Sequence, residues 1–425
     1  MVRAAAYRTV GAARREKVGI MAGSDSSMGK RAGSGTAGSV GTVLDVQVVG
    51  FRRGDGRLGI RNHLLVLPAR GSASLAAARV AEAVPGSVAV AHDGRGAAEP
   101  EPERIARTLV GFATNPNVGA VLVVGVAADD AWLADALRDA GQRVAFVALA
   151  EHRGTLGAIA AGVPLAAALA EDIAHDMRTN GSLADIVLGL ECGGSDALSG
   201  ITANPGLGVA SDLLVASGGA SILAETPELI GAAEALAARA VSAEVAASVR
   251  RTILGFEAAI RELGVDVRGA QPSPGNQAGG LTTIEEKALG SAKKGGAAPV
   301  VGVVDFAEPV RAPGLFVMDT PGHDIEQMVG MVAGGAQVVA FTTGRGTPTG
   351  SPIAPCVKIS TSTELYERLA GDIDLDAGGV LTGAESLDEL GARILAMVAE
   401  VCNGRLTASE RQGNREFALS RTVYA

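Results

Sequence analysis

The segment Val118–Val126 reads Val-Gly-Ala-Val-Leu-Val-Val-Gly-Val, without one polar side chain. A strand of this kind has no face that tolerates water, so other elements must cover it on both sides. Similar short runs recur at Val43–Val49, His63–Leu67, Val88–Ala91, Val144–Leu149 and Ile186–Leu190. Between them lie Ala-rich stretches with helical spacing, at Ser72–Ala83, Glu101–Ala113 and Asp130–Ala140. Strands buried on both faces and alternating with helices predict an α/β fold built on a parallel, Rossmann-like sheet, here over 43–180. A second α/β domain is expected over 181–425, with strands near Val300–Asp305, Leu315–Asp319 and Gln337–Thr342 and a closing helix at Leu387–Val401. The Ala- and Glu-rich stretch Pro227–Leu263 predicts long helices between these blocks.

Residues 1–42 differ in character. Arg3, Arg8, Arg14, Arg15, Lys17, Lys30 and Arg31 face only Glu16 and Asp25, and a Gly/Ser/Ala tract follows at Gly33–Gly41. This reads as a disordered basic tail, with Met21 or Met28 as alternative starts; it has no apolar core of a secretory signal. The net charge of −9 and the 3% aromatic content exclude a nucleic-acid binder, which needs phosphate-neutralising charge and stacking platforms. Cys192, Cys356 and Cys402 form neither a disulfide framework nor a CxxC zinc site, so a cytoplasmic location is expected. The longest apolar run, Leu156–Ala170, is interrupted by Gly162 and Pro164, and is too short to predict a membrane span. Neither GxxxxGK[ST] nor GxGxxG after a first strand is present, so no nucleotide is expected.

Glycine is the compositional anomaly, 58 of 425 residues, about twice its usual ~7% share. Four glycine turns carry the candidate chemistry. In Leu188-Gly-Leu-Glu-Cys-Gly-Gly-Ser-Asp196, a buried strand ends on Glu191-Cys192, and Gly193-Gly194 free the backbone for a ligand. Ligands of open α/β sheets gather at the carboxyl ends of strands, where this turn falls. Glu191 and Asp196 are candidate catalytic carboxylates; Ser195, Thr202 and Asn204 are candidate substrate contacts. A plain strand–turn–helix connection around a buried thiol is the alternative reading. In Pro272-Ser-Pro-Gly-Asn-Gln-Ala-Gly-Gly-Leu-Thr-Thr-Ile-Glu-Glu-Lys287, Gly279, Gly280, Thr282 and Thr283 suggest a backbone nest for a carboxylate or phosphate, with Asn276 beside it. Lys287 is a candidate acid–base group there; it does not share a helical face with Glu285. In Met318-Asp-Thr-Pro-Gly-His-Asp324, His323 and Asp319 suggest a base and its orienting group, and in Phe341-Thr-Thr-Gly-Arg-Gly346, Thr343 and Arg345 suggest a carboxylate grip. Gly54-Asp-Gly-Arg-Leu-Gly-Ile-Arg-Asn-His63 adds Arg61 and Asn62 at a basic turn.

These stretches together resemble the altronate dehydratase and galactarate dehydratase family of sugar-acid hydro-lyases. Further matching runs are NPNVGAVLVVG, ILAETPELIGA, VAGGAQVVAFTTGRGTPTGSPIAPCVKI and the terminal REFAL, so the resemblance extends from about residue 46 to 419. It implies β-elimination of water from an aldonate or aldarate to a 2-keto-3-deoxy acid, with a divalent metal, Fe²⁺ or Mn²⁺, and a homo-oligomer. It also implies that three first-domain cysteines are absent here, where the chain reads Arg70-Gly-Ser-Ala, His92-Asp-Gly-Arg-Gly96 and Gly125-Val-Ala-Ala-Asp129. Cys192 stands at a family cysteine position, and His63 and His92 are the nitrogen ligands the resemblance leaves. Family dehydratases open with a small histidine-bearing SAF domain, expected here as a separately encoded subunit. Two alternatives remain: the large subunit of a sulfolactate sulfo-lyase-like carbon–sulfur lyase, and a diverged paralogue that binds a hydroxy acid.

Overall fold

The computed structural model describes residues 46–96 and 99–421. The basic tail expected at 1–42 lies outside them.

Among the described residues, fourteen strands run β1 Gln47–Arg52, β2 Leu58–Gly59, β3 His63–Pro68, β4 Ser87–Ala89, β5 Val118–Gly125, β6 Arg143–Ala148, β7 Thr179–Ser182, β8 Val187–Gly193, β9 Ala220–Leu223, β10 Val300–Val304, β11 Gly314–Met318, β12 Val338–Thr343, β13 Cys356–Ser360 and β14 Leu375–Asp376. A four-stranded parallel sheet has the order β4-β3-β5-β6. Every residue of its central β5 is buried, as the uninterrupted apolar run requires. A seven-stranded parallel sheet has the order β10-β11-β9-β8-β12-β13-β14. Parallel α/β architecture is therefore present in both halves. A small antiparallel sheet, β2-β1-β7, joins the segment preceding β3 to the one preceding β8.

Two sequence expectations differ from the structure. Of the long helices expected over Pro227–Leu263, only one is present. A 3₁₀ turn covers Thr226–Ala232, a short helix Ala233–Ala237, and the long helix starts only at Ala243, where the Ser242 hydroxyl accepts from the Val245 N–H. Pro227 at the start of the turn and Ser242 as an N-cap divide the segment. Leu156–Ala170 belongs instead to one unbroken helix, Thr155–Ala174, long and apolar enough by length and composition to cross a membrane. Pro164 is tolerated inside it because its ring and the Ala160 position one turn earlier both lie on the exposed side, where water meets the carbonyl that loses its partner.

An ion-pair chain fixes the helix Ile284–Ala292, which carries Lys287. Arg268 binds Glu257 through Nε at 2.7 Å and Glu285 through Nη1 at 2.9 Å. The Arg268 hydrogen bond holds the Glu257 carboxyl below the usual range, outweighing burial, with help from the Arg261 charge. A folded-state value below the unfolded one gives stability that is present above about pH 4.3 and disappears as pH falls through the folded value. Glu257→Gln is therefore expected to lower stability at pH 7 and to flatten its decline in acid. Equal slopes for both proteins in a pH series of urea melts would remove this link.

Candidate active site

The seven-stranded sheet changes direction between β8 and β12. From β8 the chain moves to β9 on one side, and from β12 to β13 on the other. Such a switch leaves a crevice at the carboxyl ends of the two strands. In register there, Cys192 lies opposite Thr342 and Gly193 opposite Thr343. A Cβ on Gly193 would collide with Asp324 and the Phe341 ring, and Gly194 has φ +58°, which explains the glycine pair.

Around this edge the chain collects an unusual number of buried charges. Glu225 follows β9 in the left-handed region, φ +73°, and is fully buried. Its Oε1 accepts the Cys192 N–H at 2.9 Å; its Oε2 accepts the Ser291 hydroxyl at 2.8 Å and the ammonium of Lys294. The Cys192 thiol donates to Glu225 Oε2 at 3.3 Å and lies 3.9 Å from Glu228 Oε2. Glu228 Oε1 pairs with Lys287 Nζ at 2.8 Å. Lys287 Nζ also donates to Gln271 Oε1 at 2.9 Å and Asn276 Oδ1 at 3.0 Å, and Asn276 Nδ2 donates to the Ser195 carbonyl. Glu191, 0% exposed, has no hydrogen-bond partner for either carboxyl oxygen among the described residues.

Five acidic groups (Glu191, Cys192, Glu225, Glu228 and Asp324) thus gather near two ammonium groups, most of them away from water. Burial, then the charge of Glu225, raises Glu191 well above the ordinary carboxylate range. Burial likewise raises Asp324, pushes the Cys192 thiol up to about 12 and Glu228 up to about 7. Burial acts the same way on Glu225, but Lys294 and the hydrogen bonds it accepts win, and it stays ionised.

A divalent cation fits this donor set. One atom each of Cys192, Glu225 and Glu228 lies within 4.8 Å of the others, combining a soft sulfur with hard oxygens. His63 and His92 do not join this group. His63 starts β3 in the other sheet and is partly buried, with its pKa lowered to about 4 by burial and then the Arg61 charge. Both ring nitrogens of His92 are spent, Nε2 on the Pro68 carbonyl at 2.8 Å and Nδ1 on the Gly94 N–H at 3.0 Å.

Several other sequence candidates have structural partners instead. Asp196 accepts from the Ser199 N–H and hydroxyl and from Thr361, which fixes the turn. Thr202 donates to the Leu198 and Thr361 carbonyls, and Asn204 bridges Thr342 and the Gly290 carbonyl. The suggested nest at Gly279, Gly280 and Thr282 is consumed internally. Their N–H groups go to Gly275 O, Gln277 O and Glu286, while the Thr283 hydroxyl caps the following helix. Arg61 binds Glu410 at 2.7 Å and the carbonyls of Ile60, Val401 and Arg405, and Asn62 joins Arg53, Asp176 and Ile173 O. Asp319 accepts from Thr226, whereas His323 is exposed and lies 3.9 Å from Glu326, so these two do not form a pair. Thr343 accepts the Gly346 N–H.

What remains is coherent. Ser195 Oγ lies 3.6 Å from the Cys192 sulfur. Cys192, Ser195, Lys287, Ser291 and Lys293 line a cavity of about 250 Å³. Arg345 stands exposed at the neighbouring turn, its guanidinium over Gly275, without an ion-pair partner among the described residues. Sequence reasoning missed Glu225, Glu228, Ser291 and Lys294. The signal in Ile222-Leu-Ala-Glu-Thr-Pro-Glu-Leu-Ile230 is two acids inside an otherwise apolar run.

The three first-domain places without cysteine also converge, at the carboxyl edge of the four-stranded sheet. Arg70 binds Asp129 and Asp130 there, and the Gly71 N–H donates to Gly94 O.

A family model described as D-galactarate/Altronate dehydratase, C-terminal, matches residues 183–424, and one described as D-galactarate dehydratase/Altronate hydrolase, second domain, matches residues 50–174. Altronate dehydratase of Bacillus subtilis (strain 168) is 35% identical over 385 residues, 87% of this chain and 76% of that protein. The (2R)-sulfolactate sulfo-lyase subunit beta of Chromohalobacter salexigens is 36% identical over 379 residues, 88% of this chain and 97% of that protein. Galactarate dehydratase (L-threo-forming) of Escherichia coli (strain K12) is 39% identical over 221 residues, 52% and 42% of the two chains.

Proposed function

The chain belongs to the D-galactarate/altronate dehydratase family, and on that premise we propose that it is a hydro-lyase for a polyhydroxy sugar acid. The substrate loses the proton from the carbon bearing its carboxylate and the hydroxyl from the next carbon. The C–H electron pair becomes a C=C bond, the C–O bond breaks, the hydroxide takes a proton and leaves as water, and the enol rearranges to a 2-keto-3-deoxy acid. A proton beside a carboxylate is weakly acidic, so the site must stabilise the developing charge and hold a proton carrier in place.

The observation that supports this reading is the cavity at the carboxyl end of β8, where Lys287 and Ser195 face the same space as Cys192. Lys287 Nζ, oriented by Glu228, Gln271 and Asn276, holds the proton that moves. Ser195 Oγ orients a substrate hydroxyl. Arg345 binds the carboxylate at the rim. Cys192, Glu225 and Glu228 are the residues for a divalent metal, Fe²⁺ or Mn²⁺ by kinship, whose charge would favour the enediolate form. The overall charge of −9 repels an acid, so local cations must do the binding.

A second reading, elimination of sulfite from a sulfonated hydroxy acid, is favoured by the match over 97% of the sulfo-lyase subunit. One assay separates the two. The chain is loaded with Fe²⁺ or Mn²⁺, with and without a small SAF-domain partner, and offered aldonates, aldarates and sulfolactate. Keto-acid release from a sugar acid is the expected result. Sulfite release from sulfolactate alone would replace the hydro-lyase reading, and binding without turnover would leave a hydroxy-acid-binding paralogue.

Arg345→Ala is expected to raise KM about 10- to 100-fold, as for loss of a charge-assisted hydrogen bond to a carboxylate, with kcat nearly unchanged. Unaltered KM would remove Arg345 from the site.

A further inference from the structure

Two runs that the candidate site leaves unused, Cys356-Val-Lys358 and Arg415-Glu-Phe417, meet at one loop. β12 ends at Thr343, and β13, its parallel neighbour, starts at Cys356. A helix usually makes such a crossover, but residues 344–355 contain none. This loop carries Arg345, so whatever holds the loop sets where the guanidinium stands. Near its start the Gly346 N–H donates to Thr343 Oγ1 at 3.0 Å. Further on, three elements converge on Thr349 and Gly350. The Gly350 N–H donates to Glu416 Oε2 at 2.7 Å. A Cβ on Gly350 would collide with the Asn414 carbonyl and with Ser409, in the helix Ala408–Gln412. From β13, Lys358 Nζ donates to the Thr349 carbonyl.

Lys358 is 1% exposed. Its Nζ also donates to the Ser409 hydroxyl at 3.0 Å and lies 5.7 Å from the centre of the Phe341 ring. The two other buried lysines among the described residues, Lys287 and Lys294, each meet a carboxylate. Lys358 has no ion-pair partner among the described residues. An ammonium buried without an opposing charge is costly, and an apolar side chain would fill the same space at less cost. What the ammonium adds is the tie between the Thr349 carbonyl, its own strand and Ser409. On the reading that Arg345 binds the substrate carboxylate, we propose that Lys358 is a positioning residue, which together with Glu416 pins the loop so that Arg345 meets the substrate.

Two measurements test this, and the first needs no substrate. In hydrogen exchange read by mass spectrometry, Lys358→Met is expected to speed exchange in peptides of 344–355, while β8 and the four-stranded sheet keep their protection. Methionine fills the space and leaves no charge unpaired, so this variant is expected to fold. Glu416→Ala, at a half-buried position outside the sheet, is expected to speed exchange in the same loop. Loop exchange that is unchanged in these variants, or that rises equally throughout the chain, overturns the proposal whatever the substrate. The second measurement is KM for whichever of altronate, galactarate and sulfolactate the metal-loaded chain turns over. Lys358→Met is expected to raise KM about 10-fold with kcat nearly unchanged. Combined with Arg345→Ala, it is expected to be no worse than Arg345→Ala alone. A lysine that only stabilised the fold would leave KM unchanged, and one acting independently would add its effect to that of Arg345→Ala. Either outcome overturns the proposal. If Arg345→Ala alone leaves KM unaltered, the role of Arg345 falls first and that of Lys358 with it. No turnover of any of the three acids would count against the hydro-lyase reading, and the exchange result alone then decides whether Lys358 holds the loop.

Discussion

Lys294→Met is expected to destabilise the protein by about 3–5 kcal/mol, the usual cost of removing one partner from a buried ion pair. Lys294 is 0% exposed and its ammonium sits on Glu225, also 0% exposed. Without it Glu225 has the Ser291 hydroxyl, the Cys192 N–H and thiol, but no charge, in a site already crowded with acids. Glu225 must then bind a proton to stay buried. Its pKa rises above the unfolded value, so stability is greatest at low pH and falls as pH rises through the folded value. The loss in Lys294→Met is accordingly larger at pH 8 than at pH 5. Glu225→Gln combined with Lys294→Met removes both charges, and it is expected to recover part of the difference. Urea melts of the three variants at the two pH values check this. A single variant with unaltered stability at pH 8 would mean that the pair is not buried as described.

The second large effect is catalytic. Lys287→Met is expected to lower kcat about 10²- to 10⁴-fold, the usual contribution of a positioned proton carrier. Methionine keeps the length and apolar bulk of the stem but removes the three donors to Glu228, Gln271 and Asn276. A purely structural lysine would also reduce activity on removal, so the readout must be chemical. In deuterated water the unaltered enzyme is expected to exchange the proton beside the substrate carboxylate, and Lys287→Met is expected to lose this exchange while still binding substrate. Exchange that persists at the unaltered rate would mean another group moves the proton. Lys287→Arg keeps the charge and the direction of the side chain, so it separates positioning from proton transfer.

Much of the fold is legible in the chain. Val118–Val126 must be a strand buried on both faces, and it is β5 in the middle of a parallel sheet. The helix Leu387–Cys402 starts where Ser386 and Glu389 form a capping box, a signal present in the residues themselves. Less legible were the short strand β9 and the turn after it, because Ala220–Leu223 is too brief to show a period and the acids behind it resemble a helical surface. The glycine turn after β8 also stands where the sequence places it, with Cys192 and Ser195 facing a cavity. Its neighbour at Gly279–Gly280 does not, because a nest is available to a ligand only if no side chain of its own claims the N–H groups. Glu286 claims the one on Thr282.

The sequence by itself determined the class of fold, the family and the position of the candidate glycine turn after β8, since these rest on local periodicity, glycine placement and ordered motifs. Only the tertiary structure decided which charged residues meet there. Glu225, Glu228, Lys287 and Lys294 come from three segments that are far apart in sequence from Cys192, and each alone reads as surface charge. Strand order brings the ends of β8 and β9 together, and burial then changes what the groups are. Burial shifts Glu191 and the Cys192 thiol upward while Glu225 keeps its charge because Lys294 is within reach. Neither adjacency across a sheet nor the loss of water around a carboxyl is written in local sequence.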